Sequence, residues 1–231
     1  MSTDDVILIR NLVVNCYLVL GDPPFLVDTG SAKYWPVILK ALADRGLAPQ
    51  DLACALITHW HSDHSGNAAA LAANGVEIWA PAAEAGILRG DERLPLPAGP
   101  SRAGRALRRM PASLMRRYLS FKPVRVNRLL EEGEELGLMG GLRVIALPGH
   151  TSGGLGFVSE TRKLAFTGDI VGNMRGKTGL PVLAFSEDRD AILASMRRLA
   201  DSGLEYMFPG HGAVLGPRAS EILSEFVKRK G

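Results

Sequence analysis

His59-Trp60-His61-Ser62-Asp63-His64 follows directly on the short apolar run from Ala53 to Thr58, so four metal-ligating side chains fall within six residues. At a strand end, residues two apart point to the same side. His59 and His61 are therefore spaced to hold one metal, while the turning chain presents Asp63 and His64 to a second. A helical H-E-x-x-H site would use i,i+4 spacing instead. Imidazole and carboxylate together suit zinc, and also iron or manganese, and no thiolate stands nearby to select a softer ion. Whatever this chain folds into must deliver that loop at the end of a strand.

The remaining histidines fit the same requirement. The chain has only five, and the other two lie in Pro148-Gly149-His150-Thr151 and Pro209-Gly210-His211-Gly212, each after a β-like apolar run. Asp169, in Phe166-Thr167-Gly168-Asp169, has the same placement and adds a carboxylate. Loops at strand ends are where open α/β folds collect functional groups, and the glycines let the backbone approach a crowded centre.

Around these loops the pattern is mixed. Short strands are expected at Val6 to Ile9, Val13 to Leu20, Phe25 to Val27, Ala53 to Thr58 and Val76 to Ala80. A helix is expected from Trp35 to Arg45 with Gly46 at C′, and Ser65 reads as the cap of an alanine-rich helix ending near Gly75. Pro95, Pro97 and Pro100 break the chain before a helix or helix pair from Ser101 to Phe121, which Pro111 should kink or divide. Strands follow at Leu142 to Leu147, Leu155 to Val158 and Leu164 to Phe166, then a glycine-rich loop from Gly168 to Phe185. A helix from Glu187 to Ala200, the strand Tyr206 to Phe208, the His211 loop and a helix from Pro217 to Lys230 complete the pattern. Hairpins are too abundant for a purely parallel sheet, so the class is mixed α/β (α+β).

With 231 residues, 46% hydrophobic and 22% charged, the chain is long and apolar enough for a substantial core, and disorder is excluded as its main state. No apolar run approaches the length of a bilayer span. The N-terminus is acidic where a secretory signal would be basic, so a cytoplasmic protein is expected. Cys16 and Cys54 sit in apolar runs without C-x-x-C spacing and read as buried thiols. The net charge of +3 hides an asymmetry: between Arg89 and Arg128, eleven Lys/Arg face only Asp91 and Glu92, giving +9 there and −6 elsewhere. Residues 82–128 therefore read as a basic helical insertion or lid within a single domain over 1–231, facing an anionic partner.

These residues, in this order, resemble the metallo-β-lactamase superfamily: the H-x-H-x-D-H motif, then single His, Asp and His ligands, with Val27-Asp28-Thr29-Gly30 upstream. Asn15-Cys16-Tyr17-Leu18 and Thr167-Gly168-Asp169 look most like its glyoxalase II and lactonase branches. The resemblance implies a four-layer αββα sandwich with metals at one edge. It assigns His59, His61 and His150 to a first metal and Asp63, His64 and His211 to a second, with Asp169 bridging. Asp28 matches a position that orients the histidine loop from behind. Two divalent ions, zinc first with iron or manganese possible, would hold a bridging water and lower its pKa toward about 7, giving a hydroxide nucleophile. Asp63 is a candidate proton carrier.

The implied activity is hydrolysis of an ester, thioester or lactone; the competing class is a metal-dependent phosphodiesterase or nuclease. The chain departs from each branch. Only 20 residues follow His211, short of the glutathione-binding helical domain of glyoxalase II, and Ile170-Val171-Gly172-Asn173 lacks the lactonase tyrosine. Leu107, Met110, Leu114, Met115, Tyr118 and Phe121 approximate an apolar face flanked by Arg108, Arg109, Arg116 and Arg117. Arg108, Arg109, Arg116 and Tyr118 are thus candidate contacts for a small-molecule substrate with an apolar and an anionic part. With 6% aromatic residues for base stacking and no RNA-binding motif, nucleic acid is not expected as a partner, and a homodimer contact is a further use for the segment.

Overall fold

The computed structural model describes residues 3–11, 14–96, 99, 101–174 and 176–230. Of the sequence features above, Met1 and Ser2 of the acidic N-terminus, Val13, Pro97 and Pro100 lie outside the described residues. The first part of the chain runs through β1 (Val6–Asn11), β2 (Val14–Val19), β3 (Phe25–Val27), α1 (Trp35–Ala43), β4 (Cys54–Leu56), α2 (Ser62–Ser65), α3 (Ala68–Ala73), β5 (Glu77–Pro81) and α4 (Ala85–Arg89). The basic segment forms α5 (Arg102–Leu107) and α6 (Ala112–Leu119). Next come β6 (Arg128–Leu130), β7 (Glu135–Leu136), β8 (Leu142–Ala146), β9 (Leu155–Ser159), β10 (Leu164–Met174), β11 (Lys177–Gly179), α7 (Arg189–Ala200), β12 (Tyr206–Gly212) and α8 (Ala219–Lys228).

All the strands join one hydrogen-bonded sheet in the order β6-β5-β4-β3-β2-β12-β10-β9-β8-β7, with β1 on β2 and β11 on β10. Strand alternation turns that sheet into layers. In β2, Cys16 and Leu18 face one core with α1 and α3, whereas Tyr17 and Val19 face a second. In β4, Ala55 joins the first core and Cys54 and Leu56 the second. In β10, Leu164 and Phe166 enter that same second core, while Ala165 faces a third, built on α7 and α8. Period-two patterning on both halves thus creates three apolar spaces, which makes four layers, helix on sheet on sheet on helix. The sandwich is the αββα arrangement of the metallo-β-lactamase fold. Burying a side chain as large as Phe25, Phe157 or Phe166 contributes roughly 2–3 kcal/mol, before entropy, to holding the layers together.

Local signals act as the sequence suggests in several places. Gly46, at φ +70°, ends α1: its N–H bonds Ala43 O and the Leu47 N–H bonds Leu42 O, which satisfies the last carbonyls. Ser101 caps α5 by accepting the Gly104 N–H, and Pro111 separates α5 from α6. Cys16 and Cys54 are buried in different cores, and burial pushes both thiols up to about 12. No helix among the described residues is long and apolar enough to cross a membrane.

Three expectations are corrected. Ser65 does not cap the alanine-rich helix; it ends α2, and its hydroxyl donates back to the Trp60 and His61 carbonyls. The expected loop from Gly168 is strand as far as Met174, and the His211 segment is strand as well. β10 and β12 pair in parallel through Gly172↔His211, so ladder bonds hold glycine-rich segments that propensity alone would leave as coil. Arg128 to Leu130 and Glu135 to Leu136 add strands the apolar pattern did not signal.

Candidate metal centre

The seam between the two halves of the sheet builds the centre. The Leu155 N–H donates to Thr58 O at 2.9 Å, tying the start of β9 to the end of β4 beside His59. From β2, Asn15 Nδ2 donates to the Pro209 and Gly212 carbonyls at 2.9 and 2.8 Å, and the Tyr17 hydroxyl donates to Pro209 O at 2.7 Å. His211 is therefore pinned by β2 on one side and β10 on the other. Gly210 beside it must lack a side chain: a Cβ there would lie 2.2 Å from Asp169 Oδ1 and 2.6 Å from His64 Cε1.

Among the described residues, three groups of side chains could each hold a metal ion, their ligand atoms within 4.8 Å of one another: His59, His61 and His150; His59, His64 and Asp169; and Asp63, His64 and His211. His61 Nδ1 and His150 Nε2 stand 2.9 Å apart. Asp169 lies between the outer groups, with Oδ1 3.2 Å from His64 Nε2 and Oδ2 3.3 and 3.1 Å from the Nε2 atoms of His150 and His211. His211 Nε2 is 3.5 Å from Asp63 Oδ2. The residues fit a metal-binding role on their own evidence. Buried His59 Nε2 has no hydrogen-bond partner among the described residues, and His64 Nε2 and Asp169 Oδ1 face each other at 3.2 Å without a well-directed hydrogen bond, a costly state for buried polar atoms that a shared cation would relieve.

Behind the ligands, a second set of groups holds the rings. Asp28, buried and at φ +58°, sits 2.8 Å from His64 Nδ1 and accepts the Thr58 N–H at 2.8 Å and its hydroxyl at 2.9 Å. Thr58 Oγ1 is 3.0 Å from His59 Nδ1, and Ser186 Oγ is 2.9 Å from His150 Nδ1. Glu84, from the turn after β5, accepts the N–H of Trp60, between two ligand histidines, at 2.6 Å. Sequence reasoning missed Thr58, Glu84 and Ser186, because their contacts are set by packing; only Thr58, adjacent to His59, carries a local hint.

The electrostatics divide the centre. Burial, then neighbouring imidazoles, holds His59 well below its ordinary value; the same causes bring His61 down to about 3. Burial also lowers His150. At the other end burial again pulls downward, but carboxylates win: Asp169, Asp28 and Asp63 hold His64 well above its ordinary value, and Asp169 and Asp63 take His211 up to about 10. Burial opposes ionisation of the carboxyls, yet the imidazoles bring Asp63 down to about 2 and Asp169 further below its usual range. One end is thus a set of neutral imidazole donors, and the other a set of carboxylates facing positive charge.

A cavity of about 690 Å³ opens over His61, Asp63, His150, Asp169 and His211. Tyr118 lines it, as do Leu114, Arg117, Phe121 and Phe185. Arg108, Arg109 and Arg116 do not. Arg108 reaches toward the Gly99 carbonyl, Arg116 Nε donates to Leu94 O at 3.4 Å, and Arg109 is exposed beyond the end of α5. Lys33, three residues after Gly30, lines the cavity and was not singled out in the sequence.

Comparison with known proteins follows the same lines. Residues 9–211 match the family model described as "Metallo-beta-lactamase superfamily". The acyl-coenzyme A thioesterase MBLAC2 of Gallus gallus is 32% identical over 94% of this chain and 79% of its own length. The chain spans 56% and 52% of two further curated relatives. Among solved structures, the family protein TTHA1429 from Thermus thermophilus superposes with a TM-score of 0.74 at 24% identity, covering 98% of this chain and 79% of that one. TTHA1623, solved in a di-iron-bound form, gives 0.65 at 27% identity over 93% and 95%.

Proposed function

The chain belongs to the metallo-beta-lactamase superfamily of hydrolases, and on that premise we propose that it is a dinuclear metal-dependent enzyme that cleaves an acyl bond, with thioesters ahead of esters and lactones. The observation that carries this reading is the pairing of His59, His61 and His150 with Asp63, His64 and His211 across one carboxylate, Asp169. Two divalent ions, zinc first and iron or manganese as ions the same ligands accept, would be held there and would supply an ionised water and polarise the scissile carbonyl. The acyl-coenzyme A thioesterase activity named for the Gallus gallus relative supports the choice of thioester.

The chain's own residues do the rest. Thr58, Asp28 and Ser186 engage the Nδ1 atoms of His59, His64 and His150, which turns each Nε2 toward the ligand clusters and fixes ring orientation. Asp63 has a side chain 37% exposed and opens to the cavity, placed to pass a proton to the departing sulfur. Hydrolysis forms a C–O bond from water and breaks the C–S bond, and one water proton goes to the thiolate, leaving a carboxylic acid and a thiol. From the basic segment, α6 and the residues just after it form a wall of the cavity over the centre, shielding the reacting bond from bulk solvent.

Metal content and turnover on a thioester, a γ-lactone, an aryl ester and bis(p-nitrophenyl) phosphate test the proposal together. It expects two metals per chain and turnover led by the thioester, lost to a chelator and restored by zinc. Turnover confined to the phosphodiester would overturn it in favour of the nuclease class.

A further inference from the structure

The cavity over the ligand clusters carries two kinds of group that the hydrolytic chemistry does not use. The first is charge. Lys33, in the 3-10 turn Ala32–Tyr34, and Arg117, on α6, are both exposed and line the cavity. Among the described residues neither has an ion-pair partner, whereas Arg108 and Arg116 on neighbouring turns are drawn to backbone carbonyls and Arg128 pairs with Glu134. The cavity's own carboxylates are Asp63 and Asp169, both within the candidate ligand clusters, so no further carboxylate among the described lining residues offsets the two cations.

The second is an uncovered apolar surface. Leu114 and Tyr118, one helical turn apart, are 51% and 72% exposed, and Val182 is 61% exposed on the facing loop. The Tyr118 ring lies nearly parallel to Phe185, at 27° with 6.5 Å between centroids. Exposed aromatic and aliphatic groups of this size beside a reactive centre are a binding surface for an apolar ligand part. Unpaired cations on the same rim suit an anionic part, since a guanidinium fork and an ammonium both complement phosphate or carboxylate oxygens.

Resting on the hydrolase reading above, we infer that the substrate is a thioester with two unlike arms. Its acyl arm packs on Leu114, Tyr118, Val182 and Phe185, and its thiol arm carries an anionic group that Lys33 and Arg117 recognise. The cations determine specificity; they touch the remote arm and take no part in bond breaking. Because both are exposed, their attraction is screened by salt.

The test compares thioesters that share one acyl group but differ in the thiol: coenzyme A with its phosphates, glutathione with its carboxylates, and neutral N-acetylcysteamine. The wild type should prefer an anionic thiol arm, and the larger of the two anionic preferences identifies phosphate or carboxylate. Lys33→Ala with Arg117→Ala should reduce the anionic-over-neutral ratio of kcat/KM about tenfold, through KM, while the charge-retaining pair Lys33→Arg with Arg117→Lys keeps it. Raising the salt should shrink the preference in the wild type and leave the alanine pair flat. An unchanged ratio in the alanine pair would overturn the inference. If the wild type cleaves none of the thioesters, the choice of thioester in the reading above falls, and binding of non-hydrolysable thioether analogues then decides this inference separately. About tenfold weaker binding of the anionic analogue to the alanine pair supports it; equal binding overturns it.

Discussion

Glu84 shows how one side chain can shape the candidate centre from outside its cluster of histidines and aspartates. It is 3% exposed, holds the N–H between two ligand histidines, and packs against Gly153, where a Cβ would come 2.6 Å from its Cγ. Burial pushes its carboxyl up to about 7 from 4.5, against the pull of the Thr151 hydroxyl and the Trp60 N–H. Between those values the folded chain keeps a proton that the unfolded chain has released, so stability falls as pH rises through that window, by up to about 3 kcal/mol. Urea midpoints measured from pH 4 to 8 should therefore fall in the wild type relative to Glu84→Gln between pH 4.5 and 7 and run parallel outside it; a constant gap would refute this. At the same scale, His61→Ala or Asp169→Ala should abolish turnover while circular dichroism stays native, and full activity in Asp169→Ala would remove it from the bridging position. That these histidines and aspartates gather in one place was legible because their spacing and strand-end placement are local facts of sequence. Thr58 and Ser186 were not, since each meets its histidine through packing, and Ser186 does so across 36 residues.

At the scale of elements, α6 carries two parallel stripes with separate tasks. Met115 is buried in the core with α1 and α3, Leu119 is buried there at the cavity's edge, and Leu114 and Tyr118 face the cavity with their side chains exposed. The sequence showed one broad apolar face because hydrophobicity does not distinguish a side chain that packs from one that waits for a ligand. Met115→Ala should cost about 2–4 kcal/mol in chemical denaturation, whereas Leu114→Ala should leave stability within about 0.5 kcal/mol and raise KM for long-chain acyl substrates. Equal stability losses would merge the two stripes into one. The strands β10 and β12 teach the reverse lesson. Their glycines read as loop, but pairing with β2, β9 and each other supplies the order that propensity withholds, and Gly210 is needed because Asp169 and His64 occupy the space of its side chain. Gly210→Ala should weaken metal binding about tenfold or more by calorimetric titration, with the secondary structure preserved.

On the scale of the whole molecule, the centre is drawn from both halves of the sandwich: His59, His61, Asp63 and His64 follow β4, while His150, Asp169 and His211 belong to the half built from β8 to β12. Metal bound there would cross-link the halves at their seam, and the layered fold was legible as a class because alternation in β2, β4 and β10 sorts residues among three cores. Where the seam falls was not legible, since among the described residues β12 meets β2 through one registered pair, His211↔Val14. A ligand present at 100 times its Kd stabilises by about 2.7 kcal/mol, so chelation should lower Tm by several degrees and readdition should restore it. The most direct test of the central claim is native mass spectrometry of the zinc-reconstituted protein. The account predicts a mass increment of two zinc ions per chain in the wild type, falling in Asp169→Ala. A wild type that takes up no zinc, or one ion that Asp169→Ala retains in full, would contradict it.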